Sequence, residues 1–311
     1  MNNFYILGTK YGDKNNQDVS KYLPKKEAVS IGFAWSTDLS KYYNGNFTEL
    51  NALLKNNGEK SSTIAQVKKF LSLKPGDLIA LKSTGSPKGK IANLEIIGYA
   101  VVVERNGIVY RHDPEKFPLG LGHLINVDFL ELDIERKLQL GYGQTVHKLI
   151  NVNHIDLIFG DYSKLLSQNN ITSSGTKKKN TSETVVTVSA NFIRKAIHNK
   201  IQQGVYEKMV VLFGEDAVKM EENFVDIIFT TDEFTELIEV KPYHSATYCI
   251  REGLGQLLSY HQKHYQNRKK VHLVIIGRNK PNSADKDFIE FIQKTINVNF
   301  IYRSWEQLGS H

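Results

Sequence analysis

An aspartate, a glutamate and a lysine set in two short apolar runs are the groups of this chain best suited to chemistry. Asp226 lies in Val225-Asp226-Ile227-Ile228-Phe229, and Glu239-Val240-Lys241 closes the run that begins at Thr235. Both runs are β-branched and bounded by Thr, Asp and Glu, which predicts the two strands of a hairpin. Side chains alternate along a strand, so Glu239 and Lys241 share a face. Two carboxylates beside one ammonium suit metal-assisted cleavage of a phosphodiester. The carboxylates hold Mg²⁺ through hard oxygen ligands, and the lysine orients the attacking water or helps to deprotonate it. An Asp and a Glu-x-Lys on exposed strands are more often plain surface charge. Here both carboxylates stand within or beside hydrophobic runs, where an unpaired charge is costly.

Two helices must flank this hairpin to build a site. From Cys249 to Tyr260, Ile250, Leu254, Leu257 and Leu258 recur at the helical period, and Gln256 and Tyr260 fall four apart on one side. Upstream, a helix is predicted from Ala190 to Phe213, with His198 and Gln202 sharing a face that could approach the scissile phosphate or the attacking water. A lone histidine is more often structural. Glu207, Glu221 and Glu222 are candidates for a further metal carboxylate. Glu222 has the best geometry, on the Asp226 strand face, if that strand starts early enough. Two metal ions would need this extra carboxylate; one would not.

In this order, helix, Asp226 strand, Glu239-x-Lys241 strand and CIREGLGQLLSY helix, residues from about 190 to 277 resemble a PD-(D/E)xK-type nuclease domain. The resemblance implies an α/β restriction-endonuclease-like fold. It places catalysis on Asp226, Glu239, Lys241 and Gln256, and the metal on Asp226, Glu239 and Val240. His198, Gln202, Glu222 and Tyr260 are the candidates for catalytic support. Mg²⁺ is the implied cofactor, with Mn²⁺ able to substitute. Val225 stands in place of the motif's proline, which many members also lack.

The 311 residues are enough for two domains, each with its own core. A polar, lysine-bearing stretch at 167–183 reads as a linker between domains at 1–166 and 184–311. Forty Lys and Arg against thirty-three Asp and Glu give a net charge of +7, which suits a polyanionic partner without proving one. The single cysteine, Cys249, excludes an intramolecular disulfide and a Cys-based zinc site, and reads as a buried packing residue. No run reaches membrane-spanning length and the N-terminus lacks a signal-peptide core, so a soluble, cytoplasmic protein without membrane contact is expected. Ser83 to Lys90 is Gly-bearing and basic but lacks the order of a nucleotide-binding loop, so no nucleotide cofactor is expected.

The N-terminal part is predicted as a barrel-like α+β module. Its main strands are expected at Ser30–Trp35, Asp77–Lys82 and Leu94–Val103, with shorter ones at Val109–Tyr110 and Asn126–Leu130. A helix is expected at Ile64–Leu71, a Pro-Gly turn at Lys74–Asp77 and another turn at Arg111–Pro114. Gly32-Phe33-Ala34-Trp35, Phe70 through Asp77, Ile97-Gly98-Tyr99-Ala100-Val101 and His123 through Phe129 are similar to the PUA-like superfamily, in its EVE- and YTH-like branch. That resemblance implies an aromatic pocket for a modified base. A base must leave the stack to be read, and a methylated one adds apolar surface for an aromatic cage. Trp35 is the leading pocket residue, with Phe33 and Tyr99 beside it, Tyr110 and Phe129 further candidates, and Asp38 as acceptor for a base amino group. The competing reading puts Ile31, Phe33 and Trp35 on one strand face in the core and makes Asp38 a helix N-cap.

The two resemblances together imply a modification-dependent, type IV-like restriction endonuclease that binds DNA carrying a modified base. Double-strand cleavage would make it a homodimer. The alternatives are a catalytically silent reader of modified nucleic acid, and a nuclease on RNA or unmodified DNA triggered by another ligand.

Overall fold

Short apolar strands assemble two units, residues 1–193 and 194–311. The computed structural model describes residues 2–11, 17–34, 36–85, 92–113, 122–165, 190–243, 245–265 and 270–305. The stretch expected as a linker, 167–183, lies outside the described residues, as does most of the basic loop after Gly85. The architecture is mixed α+β. No helix among the described residues is long and apolar enough to cross a membrane.

The N-terminal unit opens with β1 (Phe4–Gly8), the small pair β2 (Lys10–Tyr11) and β3 (Gln17–Asp18), α1 (Leu23–Lys26) and β4 (Ala28–Ile31). Helices α2 (Phe47–Asn56) and α3 (Ser61–Leu71) follow, then β5 (Leu78–Thr84) and β6 (Leu94–Val102). The unit closes with β7 (Tyr110–His112), β8 (His123–Leu138), β9 (Val146–Leu149) and α4 (Val152–Phe159). Its main sheet runs β4-β8-β6-β5-β1-β9, with β7 also on β8. The first residues of β8 pair with β4 and β7 and the rest with β6, so one long strand serves two neighbourhoods and the sheet curls into a half-barrel. Leu50 and Leu54 of α2 and Ile64, Val67, Phe70 and Leu71 of α3 pack on its inner face against Leu7, Ile31, Ile79 and Val127. Between α3 and β5, Gly76 adopts φ +89° after Pro75, the conformation that a type II turn reserves for glycine. The buried Asp77 carboxylate then accepts the Asn3 and Lys74 N–H groups at 2.8 and 3.1 Å.

Two expectations change here. Strand β4 stops at Ile31 and Ala34 takes φ +51°, so Phe33 sits in a turn and does not alternate with Ile31 along a strand. Arg111 and His112 are strand, not turn.

His123 gives this unit a pH dependence. Its ring is fully buried, with Nδ1 2.6 Å from the Tyr110 hydroxyl and Nε2 3.0 Å from the Ala34 carbonyl. Carbonyl oxygen only accepts, so Nε2 carries the proton and Nδ1 accepts from Tyr110. Burial pushes the imidazole down to about 4. Below an unfolded value near 6.5 the unfolded chain binds the proton first, so stability is lost as pH falls from about 6.5 toward 4, by on the order of 3 kcal/mol over the full window. Urea unfolding of the full chain between pH 6.5 and 5 should show this loss, and His123→Gln should reduce it, the remainder coming from His147, which burial also lowers to about 4. An equal slope in the variant would contradict the assignment.

The C-terminal unit holds α5 (Ala190–Phe213), β10 (Val218–Glu222), β11 (Val225–Thr230), β12 (Thr235–Val240), α6 (Ala246–Tyr260), β13 (Val271–Gly277), α7 (Ser283–Thr295) and β14 (Asn299–Ser304). Its five strands lie side by side in chain order. Strands β10, β11 and β12 are antiparallel neighbours; β12, β13 and β14 are parallel, joined by crossovers through α6 and α7. The expected hairpin is present, with Ile227 opposite Ile238 and Ile228 opposite Leu237. Every residue of β12 is buried, because one face meets α6 and the other meets further protein. Cys249, Ile250 and Leu257 of α6 pack with Leu237, Leu273 and Ile275. The starts of α6 and α7 are tied together: Asp285 closes the capping box with Asn282 and also accepts the Thr247 N–H and hydroxyl at 3.0 and 2.6 Å.

Candidate active site

Asp226 is the second residue of β11, and Glu239 is the next to last of β12. Continuing the register of the hairpin one position further from the turn than Ile227 and Ile238 sets these two carboxylates opposite each other. The Val240 N–H donates to Asp226 Oδ2 at 2.8 Å, which fixes the approach of the two strands. Lys241 continues the β13 pairing through its own N–H to the Ile276 carbonyl, so its side chain stays on the Glu239 face. There the ammonium donates to Glu239 Oε1 at 2.8 Å and to Gln256 Oε1 of α6 at 2.6 Å.

The long helix α5 completes the cluster. His198 Nε2 lies 3.0 Å from Asp226 Oδ2, and the Gln202 amide donates to the Asp226 carbonyl at 3.1 Å. Their spacing of one helical turn carries both to the same strand. Gln202 is buried and so is Glu239.

Each carboxylate therefore has one oxygen held by the protein and one left open. Asp226 Oδ2 is held by His198 and Val240, and Glu239 Oε1 by Lys241. Glu239 Oε2 is buried and has no hydrogen-bond partner among the described residues. Burial, with the charge of Asp226, raises the Glu239 carboxyl above its usual range against the opposing pull of Lys241 and His198. Burial would lower the His198 imidazole, but its hydrogen bond to Asp226 and that carboxylate's charge leave it raised. Burial and the charges of Glu239 and Asp226 also raise the Tyr260 phenol, which places Tyr260 within electrostatic reach of the pair and keeps it neutral.

This cluster suits a hard cation. Two carboxylates face one another, and a buried carboxylate oxygen without a donor is an arrangement that folding alone disfavours. Among the described residues no group of three or more His, Cys, Asp or Glu side chains is gathered for a metal. Mg²⁺ does not require one, since it takes one or two carboxylates and keeps water or phosphate for the rest of its shell.

The geometry gathers most of the residues singled out in the sequence: Asp226, Glu239, Lys241, Gln256, His198, Gln202 and Tyr260. Val240 contributes its N–H to Asp226, and its apolar side chain is buried; only its carbonyl could meet a cation. Glu222 is not at the cluster. It ends the separate strand β10, opposite Val225, and its exposed carboxylate lies 3.5 Å from Lys219. Asn223 and Phe224 turn the chain at φ +53° and +67°, so Glu222 and Asp226 lie on different strands. Glu207 accepts from Gln203 on the exposed side of α5.

Gly253 belongs to the site and was not foreseen. A Cβ there would come within 3.3 Å of Lys241 Cε and 3.1 Å of Ile275, so the bare backbone lets α6 lie against the lysine stem. Its place one turn before Gln256 is the only signal the sequence offers.

The residues expected to form a base pocket are placed less favourably. Trp35 lies outside the described residues. Phe33 is half-buried against the N-terminal core. Tyr99 is fully buried; its hydroxyl donates to the Ile158 carbonyl at 2.6 Å and its ring packs on Phe159 and Tyr162, so it is a core residue and not a pocket wall. Asp38 accepts the Ser40 N–H and hydroxyl at 2.8 and 2.6 Å, a local turn contact just ahead of the 3₁₀ turn Ser40–Tyr42, whose N-cap is Leu39 and not Asp38. Tyr110 stacks on Tyr43 and bonds to His123.

Compared with protein-family models and with curated proteins, the chain matches none.

Proposed function

We propose that this chain is a Mg²⁺-dependent nuclease of the PD-(D/E)xK type, acting on DNA selected by a modified base. The observation that carries the reading is the partnerless, buried Glu239 Oε2 opposite Asp226 and beside Lys241. The order of helix, three antiparallel strands, helix and parallel strand around these residues supports it. Mg²⁺ would be held by Asp226 and Glu239, and when bound it supplies Lewis-acid polarisation of the phosphoryl group and of water.

The chain's own residues do the rest. An ammonium has three donors, and Lys241 commits two of them to Glu239 and Gln256. The third is directed by those two anchors and can hold the attacking water through a lone pair, then meet the negative charge that grows on the phosphoryl oxygens. His198 and Gln202 fix the rotation and height of Asp226. Tyr260, kept neutral, remains a hydroxyl donor at the rim. Water adds to phosphorus and gives up a proton to bulk solvent, the P–O bond to the leaving sugar oxygen breaks, and that oxygen takes a proton from solvent. Cutting both strands takes two such centres, hence two chains.

The N-terminal unit is read as a PUA-like module that takes a flipped base, with Trp35 and Phe33 as its aromatic contacts. The curled sheet and the sequence resemblance support this part, and Tyr99 no longer belongs to it. Matched plasmids that are unmodified, adenine-methylated, cytosine-methylated or hydroxymethylated test both parts with Mg²⁺ present. Cutting confined to one modified plasmid is expected. Equal cutting of all four would remove the reader, and no cutting of any would remove the DNA nuclease.

A further inference from the structure

We infer that this centre takes one divalent cation and not two, because His198 and Val240 together occupy the oxygen through which Asp226 would bridge a pair of ions. The inference rests on the nuclease reading and adds to it the number of ions and the part played by His198. A carboxylate shared between two cations gives one oxygen to each. Asp226 Oδ2 accepts the Val240 N–H at 2.8 Å and faces His198 Nε2 at 3.0 Å. A carboxylate oxygen has two lone-pair directions, so two N–H donors fill it. The open oxygens are Asp226 Oδ1 and Glu239 Oε2, the latter buried and without a partner. They define one position.

No further carboxylate supplies a second position among the described residues. Glu222 is exposed and 3.5 Å from Lys219, Glu207 accepts from Gln203, and Glu221 sits exposed at φ +56° in the β10–β11 hairpin. His198 stands instead on the α5 face that looks at Asp226, with an N–H where a second ion would need a ligand. It is a positioning residue: it sets the rotation of Asp226 so that Oδ1 faces the open side, and it closes the other side to cations.

Mn²⁺ binding to the full chain tests this without any turnover, through the loss of the free-ion paramagnetic resonance signal on titration and the spectrum of the bound ion. One Mn²⁺ per chain with the spectrum of an isolated ion is expected, with affinity at least tenfold weaker in Glu239→Gln. His198→Gln carries an N–H donor at the reach of Nε2 and should remain at one ion. His198→Glu replaces that donor by a carboxylate at the same reach and should bind a second ion, with a spin-coupled spectrum. Two coupled ions in the unaltered chain, or a single ion in a folded His198→Glu, would overturn the inference. No bound Mn²⁺ in the unaltered chain would overturn the metal-dependent nuclease reading itself.

Discussion

Asp226→Asn is expected to lower the cleavage rate by about 10³-fold or more, the loss of roughly 4 kcal/mol of transition-state stabilisation, while leaving the fold in place. The asymmetry of the site explains why the effect divides this way. Asp226 Oδ2 has a structural task, receiving the Val240 and His198 donors. Oδ1 has none among the described residues. An asparagine can turn its carbonyl oxygen to those two donors and its NH₂ to the open side. It then keeps the strand spacing and presents a donor where an anionic oxygen is needed. Asp226→Ala removes both functions and should lose stability as well, since a backbone N–H and the imidazole would then lack an acceptor. Comparing the two variants by single-turnover cleavage and by melting separates catalysis from folding. If Asp226→Asn cut at the rate of the unaltered chain, Asp226 would be a structural carboxylate only.

Arg303→Leu is expected to destabilise the C-terminal unit by about 3 kcal/mol, the low end for breaking a buried ion pair by removing one partner. Glu236 is buried on β12, three residues before Glu239, and Arg303 of β14 holds it with two hydrogen bonds of 2.6 and 2.7 Å. The arginine is about one-third exposed, which places the cost below that of a fully enclosed pair. Without Arg303 the nearest cation-capable group is His272, whose Nδ1 is 3.9 Å away. The charge left behind causes most of the loss, so Glu236→Leu with Arg303→Leu should regain much of it. Urea midpoints of the single and double variants measure the effect. A single variant within about 0.5 kcal/mol of the unaltered chain would show that the pair is an ordinary surface contact.

The C-terminal half was legible because its signals are local. The runs around Ile227 and Ile238 are each long enough for a strand, the apolar period of α6 is unbroken, and His198 and Gln202 are one helical turn apart. What stayed hidden depends on tertiary context. Glu236 and Glu239 look alike in the sequence, yet one meets Arg303 and the other Lys241, because both faces of β12 are covered. Glu222 was misplaced because the turn at Asn223-Phe224 puts a phenylalanine at positive φ, which bulky residues seldom adopt. In the N-terminal half, β1 pairs in parallel with β5 across some seventy residues of chain, and nothing local announces such a pairing. Tyr99 reads as an exposed aromatic until α4 and the Tyr162 ring are seen to cover it. The end of β4 was missed because Ala34, a residue without turn preference, takes the left-handed conformation.

The most direct measurement is single-turnover cleavage of a nucleic acid substrate by the unaltered chain and by Lys241→Met, each with Mg²⁺ and with EDTA. Lys241→Met keeps the stem that packs on Gly253 and removes the charge that meets Glu239 and Gln256. Cleavage by the unaltered chain that requires Mg²⁺ and disappears in a folded Lys241→Met is the predicted result. Equal rates in the two proteins, or cleavage that persists in EDTA, would contradict the assignment of Asp226, Glu239 and Lys241 as a metal-dependent nuclease centre.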